Sequence, residues 1–189
     1  KGATQLILPD NKDIVLFAAT AVKEENPQVS PASALFRTAL KSQNGNKANA
    51  PKVNLMKGAK VIACSGFVNE EESPERMIDG DTQTKWCDIT GMPNYADFDL
   101  GESRKVSGWK LVNAGQESHS YVTRTCFLQG KNSLSEEWKT LGRLDDNRKN
   151  EVTGLLTKPE SVRYIRLLIA QPAQETGSRD ARIYELEVY

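Results

Sequence analysis

Between Arg76 and Thr84 the chain gathers Asp79, Asp81, Thr82 and Thr84 around Gly80. Calcium takes about six to eight hard oxygen ligands, and the carbonyls of a sharp turn supply several of them. Gly80 lets the backbone bend tightly enough for those carbonyls to converge. The same residues also read as an ordinary Asp-Gly turn, closed by its own side chains and holding no ion. Other chemistry has little to draw on. Cys64, Cys87 and Cys126 with His119 would make a zinc set by count, but there is no CxxC pair and the spacing fits no common pattern. Free cysteines of this kind read as small buried hydrophobes. There is no GxSxG elbow, phosphate loop or HExxH. With His119 as the only histidine, a His-based triad has little to work with. A glycosidase pair needs only two carboxylates, but it also needs a cleft, and a small domain spends its side chains on its core. The chain itself is therefore not expected to be an enzyme.

Composition narrows the classes further. The 189 residues carry 25 Lys plus Arg against 25 Asp plus Glu. Such a balance argues against a nucleic-acid binder, which needs a basic face. No apolar run approaches the roughly 18–20 residues that span a bilayer. The chain starts at Lys1 with no signal-peptide pattern, which reads as a piece of a longer protein.

The elements that must position these residues fall into two parts. Residues 5–8 and 14–19 are β-rich and flank a Pro-Asp-Asn-Lys-Asp turn, which suggests a hairpin. Residues 31–41 have helical spacing behind Ser30 and Pro31, and 42–52 form a polar linker. Residues 1–52 are thus expected to be the tail of a preceding domain. Over 53–189 the pattern changes to short strands: 60–64, 96–100, 109–112, 125–129, 138–141, 152–156, 162–170 and 183–189. In 96–100, Phe98 and Leu100 alternate inward against Asp97 and Asp99. The run 162–170 is apolar enough on both faces to be central in a sheet. Strands at this spacing with no long helix predict an all-β sandwich or barrel. Trp86, Trp109 and Trp138 each sit at the edge of a strand-like run and are expected in its core.

The order of motifs carries a resemblance. NLMKGAKVIACSG opens at Asn54, RMIDGDTQTKWCD covers 76–88, and ADFDLGESRKVSGWKLVNAG covers 96–115. TRTCFLQGKNSLSEEWKTL at 123–141 and VRYIRLLIAQPAQETGSRDARIYELEVY at 162–189 complete the series. This order resembles the discoidin family, also called coagulation-factor type C or galactose-binding-like domains. TKWCD, NAGQES and ARIYELEVY look most like the family 32 carbohydrate-binding modules appended to bacterial glycoside hydrolases such as α-mannosidases.

The resemblance implies a jelly-roll β-sandwich and a structural calcium. Carried across, Asp79 gives a carboxylate, Arg76 and Asp81 give carbonyls, and Thr84 gives hydroxyl and carbonyl oxygens. Glu185 closes the site with its side chain, and Tyr184 adds a carbonyl. It also implies glycan binding through loops at one end of the sandwich: 66–73, 88–95, 113–124 and 171–180. The candidate contacts there are Glu72, Tyr95, Asn113, His119, Tyr121, Arg124 and Arg179, with the two tyrosines as platforms for a sugar ring. Asn113 stands where close relatives carry a histidine, and Glu72 lies in a run of three glutamates that also reads as a wet surface. Membrane binding is not expected, because Ile89 and Met92 read as the only apolar loop residues and Asp88 flanks them. The implied partners are a glycan and a tethered catalytic domain, and the implied location is periplasmic, cell-surface or secreted. A spacer domain with no sugar affinity is the alternative.

Overall fold

A computed structural model describes residues 52–189. The hairpin, helix and linker expected ahead of residue 52 lie outside these residues. The strands are β1 (Lys60–Cys64), β2 (Trp86–Asp88), β3 (Asn94–Asn113), β4 (Thr125–Lys131), β5 (Lys139–Leu144), β6 (Glu151–Gln171) and β7 (Ala181–Val188). All pairings are antiparallel, in the order β2-β7-β3-β6-β4-β5, with β1 on β3.

Two long strands make the sandwich. The first part of β3 pairs with the last part of β6, from Asn94↔Ile169 to Asp99↔Tyr164. The register then breaks between Asp99 and Arg104 and again between Val106 and Gly108. Beyond the breaks the same two strands pair again, from Gly108↔Leu155 to Val112↔Glu151. Each strand therefore leaves one end of the domain, turns over at the far end, and returns in the opposite sheet. The sequence reads these as four separate strands because turn residues such as Leu100-Gly101 interrupt the apolar pattern without ending the pairing. The three-residue β2, too short to show periodicity, was not expected.

Between the layers, Phe98, Leu128, Ile165 and Leu167 meet Trp109, Leu111, Leu186 and Val188, all nearly or fully buried. Trp86 joins them, as expected. Gly142 and Gly154 flank the Trp109 indole so closely that a Cβ at either would fall within van der Waals contact of Nε1. Gly154→Ala should therefore overpack the core and cost about 1–3 kcal/mol, measurable by urea unfolding. The opening Asn54 ties the chain ends together: its Oδ1 accepts from the Met56 and Val188 amides, at 3.0 and 3.2 Å.

Two packing expectations are corrected. Trp138 is half-exposed and not core. Its ring lies on the outer face of the sheet, with the Arg166 guanidinium 4.5 Å and the Lys131 ammonium 4.4 Å from its centre. Asp97 does point away from the core, yet it is almost fully buried, because Arg166 covers it with paired hydrogen bonds of 2.6 and 2.8 Å.

Candidate functional site

At the end where β2, β6 and the second half of β3 finish and β4 and β7 begin, five loops meet. Four are those expected from the sequence. The fifth, residues 145–150, is a structural finding. Asn147 donates to the Thr123 and Lys149 carbonyls, and Gln174 donates to the Val122 and Asn147 carbonyls at 2.8 Å each. These bonds pin three loops to one another. Asn113 belongs to the same knot. It is fully buried, donating to the Asn150 carbonyl at 2.9 Å and accepting from the Thr123 amide at 3.1 Å. Its amide serves the fold and is closed to a sugar, which corrects its assignment as a binding residue.

A second knot holds the loops around 66 and 90. Asp88 is fully buried and accepts from the Ser65 hydroxyl, the Asn94 amide at 3.0 Å, and the Thr90 backbone and hydroxyl at 2.8 and 2.6 Å. Burial would raise its pKa, but the bonds from Asn94, Ser65 and Thr90 hold it below the usual carboxylate range. With Asp88 spent below the surface, the tips above it are apolar. Phe67, Val68, Ile89 and Met92 are all exposed. The sequence reading places 66–73 in a loop but names only Ile89 and Met92 as apolar at this end; Phe67 and Val68 stand exposed as well, so that ground for expecting no membrane contact does not hold.

Beside these tips lies a polar cluster. The Lys85 ammonium sits 2.8 Å from Glu117 and 3.3 Å from Glu72. The Tyr184 hydroxyl donates to Glu117 at 2.8 Å. Burial would raise the Glu117 pKa, but Lys85 and Tyr184 hold it low; burial works against the Lys85 charge, yet Glu117 and Glu72 raise its pKa. Arg182 stacks over Tyr121, 4.2 Å from the ring centre, and pairs with Asp180 at 3.2 Å. Sequence reasoning missed Lys85 and Arg182, which read as ordinary charges at strand edges. It did place Glu72 and Tyr121 in this neighbourhood. Arg124 is held by Asp146 at 2.7 Å, His119 is exposed, and Arg179 lies against Gly91. Tyr95 stands apart from the tips: its ring stacks on Arg166, 4.6 Å away, on the outer sheet face.

The calcium candidates meet along the edge of β7. Opposite Val112 and Asn113 the β7 register skips Tyr184, a bulge that changes which residues face inward. Ala181 and Ile183 precede it in the core, and Leu186 and Val188 follow it there. Tyr184 is thereby directed toward Glu117, while Oε2 of the buried Glu185 accepts from the Gly80 amide at 3.2 Å. Gly80 has φ 83°, in the region that favours glycine. The Thr84 hydroxyl lies 2.8 Å from Asp79 Oδ2, 3.0 Å from the Asp81 carbonyl and 3.3 Å from the Arg76 carbonyl. One hydroxyl proton cannot serve three acceptors. Oε1 of Glu185 is buried with no hydrogen-bond partner, and burial, with Asp79 nearby, pushes the Glu185 pKa up to about 7. The Asp81 amide donates to Asp79 Oδ1 at 2.8 Å and the Thr84 amide to the Asp81 carbonyl at 3.2 Å, but Glu185 Oε1 has no donor, and the oxygens gathered around it make a set that fits a hard cation. It relies on carbonyls, since no three His, Cys, Asp or Glu side chains converge among the described residues. The Tyr184 hydroxyl points elsewhere, which leaves only its backbone for such a site.

Residues 60–186 match the F5/8 type C domain. The chain belongs to that family. No curated protein sequence matches it significantly. Among solved structures, it is similar to the family 32 carbohydrate-binding module from Streptococcus pneumoniae EndoD, at 24% identity and a TM-score of 0.64 over 72% of this chain and 99% of that one. It is also similar to chitosan-binding module 1 from a chitosanase/glucanase of Paenibacillus sp. IK-5, at 20% identity and a TM-score of 0.60, covering 72% and 98%. A Ruminococcus gnavus GH29 fucosidase solved with fucose matches at 23% identity and a TM-score of 0.61, over 82% of this chain and 30% of that one. The expected discoidin sandwich is therefore the fold of this F5/8 type C domain, and its structural neighbours are carbohydrate-binding modules or larger enzymes that contain the same fold.

Proposed function

We propose that this F5/8 type C domain is a non-catalytic carbohydrate-binding module that engages glycans through its loop end. It would serve a larger glycoside hydrolase outside the cell, in the periplasm or at the cell surface, by raising the local concentration of substrate. The observation that carries the reading is exposed Phe67 together with the Lys85–Glu117–Tyr184 and Arg182–Tyr121 groups, in which Arg182 and Tyr184 stand on β7 and their partners on loops locked by buried hydrogen bonds. Sugars need an apolar face and fixed polar groups, and a site already rigid loses less entropy on binding. The solved neighbours are described as binding modules, and in the fucosidase the matching part is a minority of the chain.

Calcium would tie the turn at 78–84 to β7 through Asp79, Thr84 and Glu185 side chains and the Arg76, Asp81 and Tyr184 carbonyls. Its role there is structural, since it would neutralise oxygens of the fold and sits beside the strand away from the exposed tips.

A multivalent glycan array probed with the purified chain tests the reading. Binding to at least one glycan family is expected, and Phe67→Ala together with Arg182→Ala should weaken it about tenfold or more with little change in melting temperature. No binding across the array would leave a spacer domain as the better description.

A further inference from the structure

Most cations of the loop end are already paired. Lys85 is held between Glu72 and Glu117, Arg182 pairs with Asp180, and Arg124 and Arg148 share Asp146, at 2.7 and 3.5 Å. Two of these arrangements are more than surface contacts. The Lys85 side chain is only 19% exposed and the Arg182 side chain 18%, so an incoming anion would have to displace a carboxylate from a shielded partner. Arg179 and Lys149 are exposed and have no ion pair among the described residues, but Glu70, Glu71 and Glu175 are exposed in the same way. Over the five loops, carboxylates outnumber Lys and Arg. A site that recognised uronate, sialate or sulfate would need the reverse: a cation set free to form new charge-assisted bonds.

Resting on the glycan-binding reading above, we infer that this site selects uncharged glycans and excludes acidic ones. Selection comes from both sides of the comparison. The exposed Phe67 ring and the hydrogen-bonding edges of Glu117 and Arg182 suit ring faces and hydroxyls. The surplus of carboxylates repels an anionic substituent while most nearby cations are already paired, which is how one surface rejects a close analogue.

The experiment uses the 189-residue chain on an array of matched glycans: the same neutral oligosaccharides with and without a terminal sialic acid or sulfate, at low and physiological salt. Expected is binding to neutral members and a loss of tenfold or more on adding the anionic group, larger at low salt because repulsion is then less screened. A Glu72→Gln, Glu117→Gln variant, checked for an unchanged fold by its amide NMR spectrum, should gain binding to the sulfated members at low salt, because Lys85 is then unpaired. Should that variant fail to fold, Asp146→Asn on the exposed rim, which releases Arg124 and Arg148, should give a smaller gain of the same kind. Acidic members bound as well as or better than their neutral parents would overturn the inference while leaving glycan binding standing. Absence of binding to every member would remove both.

Discussion

Adding calcium at pH 8 should raise the melting temperature of this domain by about 10 °C, and by much less at pH 5. The expectation follows from Glu185, a residue 3% exposed whose pKa burial pushes up to about 7. In the unfolded chain a glutamate ionises near 4.3. A carboxyl whose pKa is higher in the fold contributes stability that is complete below the unfolded value and is lost as pH rises through the folded one. In the absence of calcium, the domain should therefore weaken between about pH 4.5 and 7, by about 3 kcal/mol in all. Calcium binds the ionised form, so its stabilisation grows over the same window. For a domain of this size, roughly 3 kcal/mol corresponds to about 10 °C. Glu185→Gln provides the control: without calcium it should melt at or above the wild type at pH 8, and calcium should shift it little. A wild-type melting temperature that ignores both calcium and pH between 5 and 8 would mean that Glu185 is not the linkage group.

Replacing Asp88 should have the opposite character. Asp88→Ala removes the acceptor of four bonds and leaves the Ser65, Thr90 and Asn94 donors buried or half-buried without it. A loss of about 3–5 kcal/mol is expected by chemical denaturation, in line with emptying a buried charged network. Here the folded pKa lies below the unfolded one. Its contribution is present above about pH 4 and is lost as pH falls through the lowered value, so the wild type should lose stability in acid along a limb that Asp88→Ala lacks. Because this knot carries Phe67 and Ile89, the same variant should also lose glycan affinity by more than its stability change alone explains. Retention of full stability would show that the donors find other partners.

Much of the fold was legible because its strands leave period-2 marks. Phe98 against Asp97 and the apolar run 162–170 located β3 and β6. What was not legible depends on long-range geometry. Nothing local in RKVSGWK or TKPESVR says that β3 and β6 cross from one sheet to the other and keep pairing. The bulge at Tyr184 is hidden in IYELEVY because Tyr184, Leu186 and Val188 alternate with the glutamates, so only Ile183 falls out of phase, yet the bulge turns Tyr184 toward Glu117 and Glu185 toward Gly80. Trp138 and Tyr95 were misjudged because a cation from a distant strand, Arg166, stacks on both. Asn113 had the right chemistry for sugar and the wrong burial. Lys85 and Arg182 carried no sequence signal, since their meaning lies in Glu117 and Tyr121 reaching them from another loop.

The central claim is that the loop end is a glycan site, and titration of the isotope-labelled protein with an array-positive oligosaccharide, followed by amide NMR shifts, tests it most directly. The account predicts shifts concentrated at Phe67, Lys85, Glu117, Tyr121 and Arg182, with those of Asp97, Lys131 and Arg166 on the outer sheet face unmoved. Shifts centred on that sheet face with the loop end silent would contradict it.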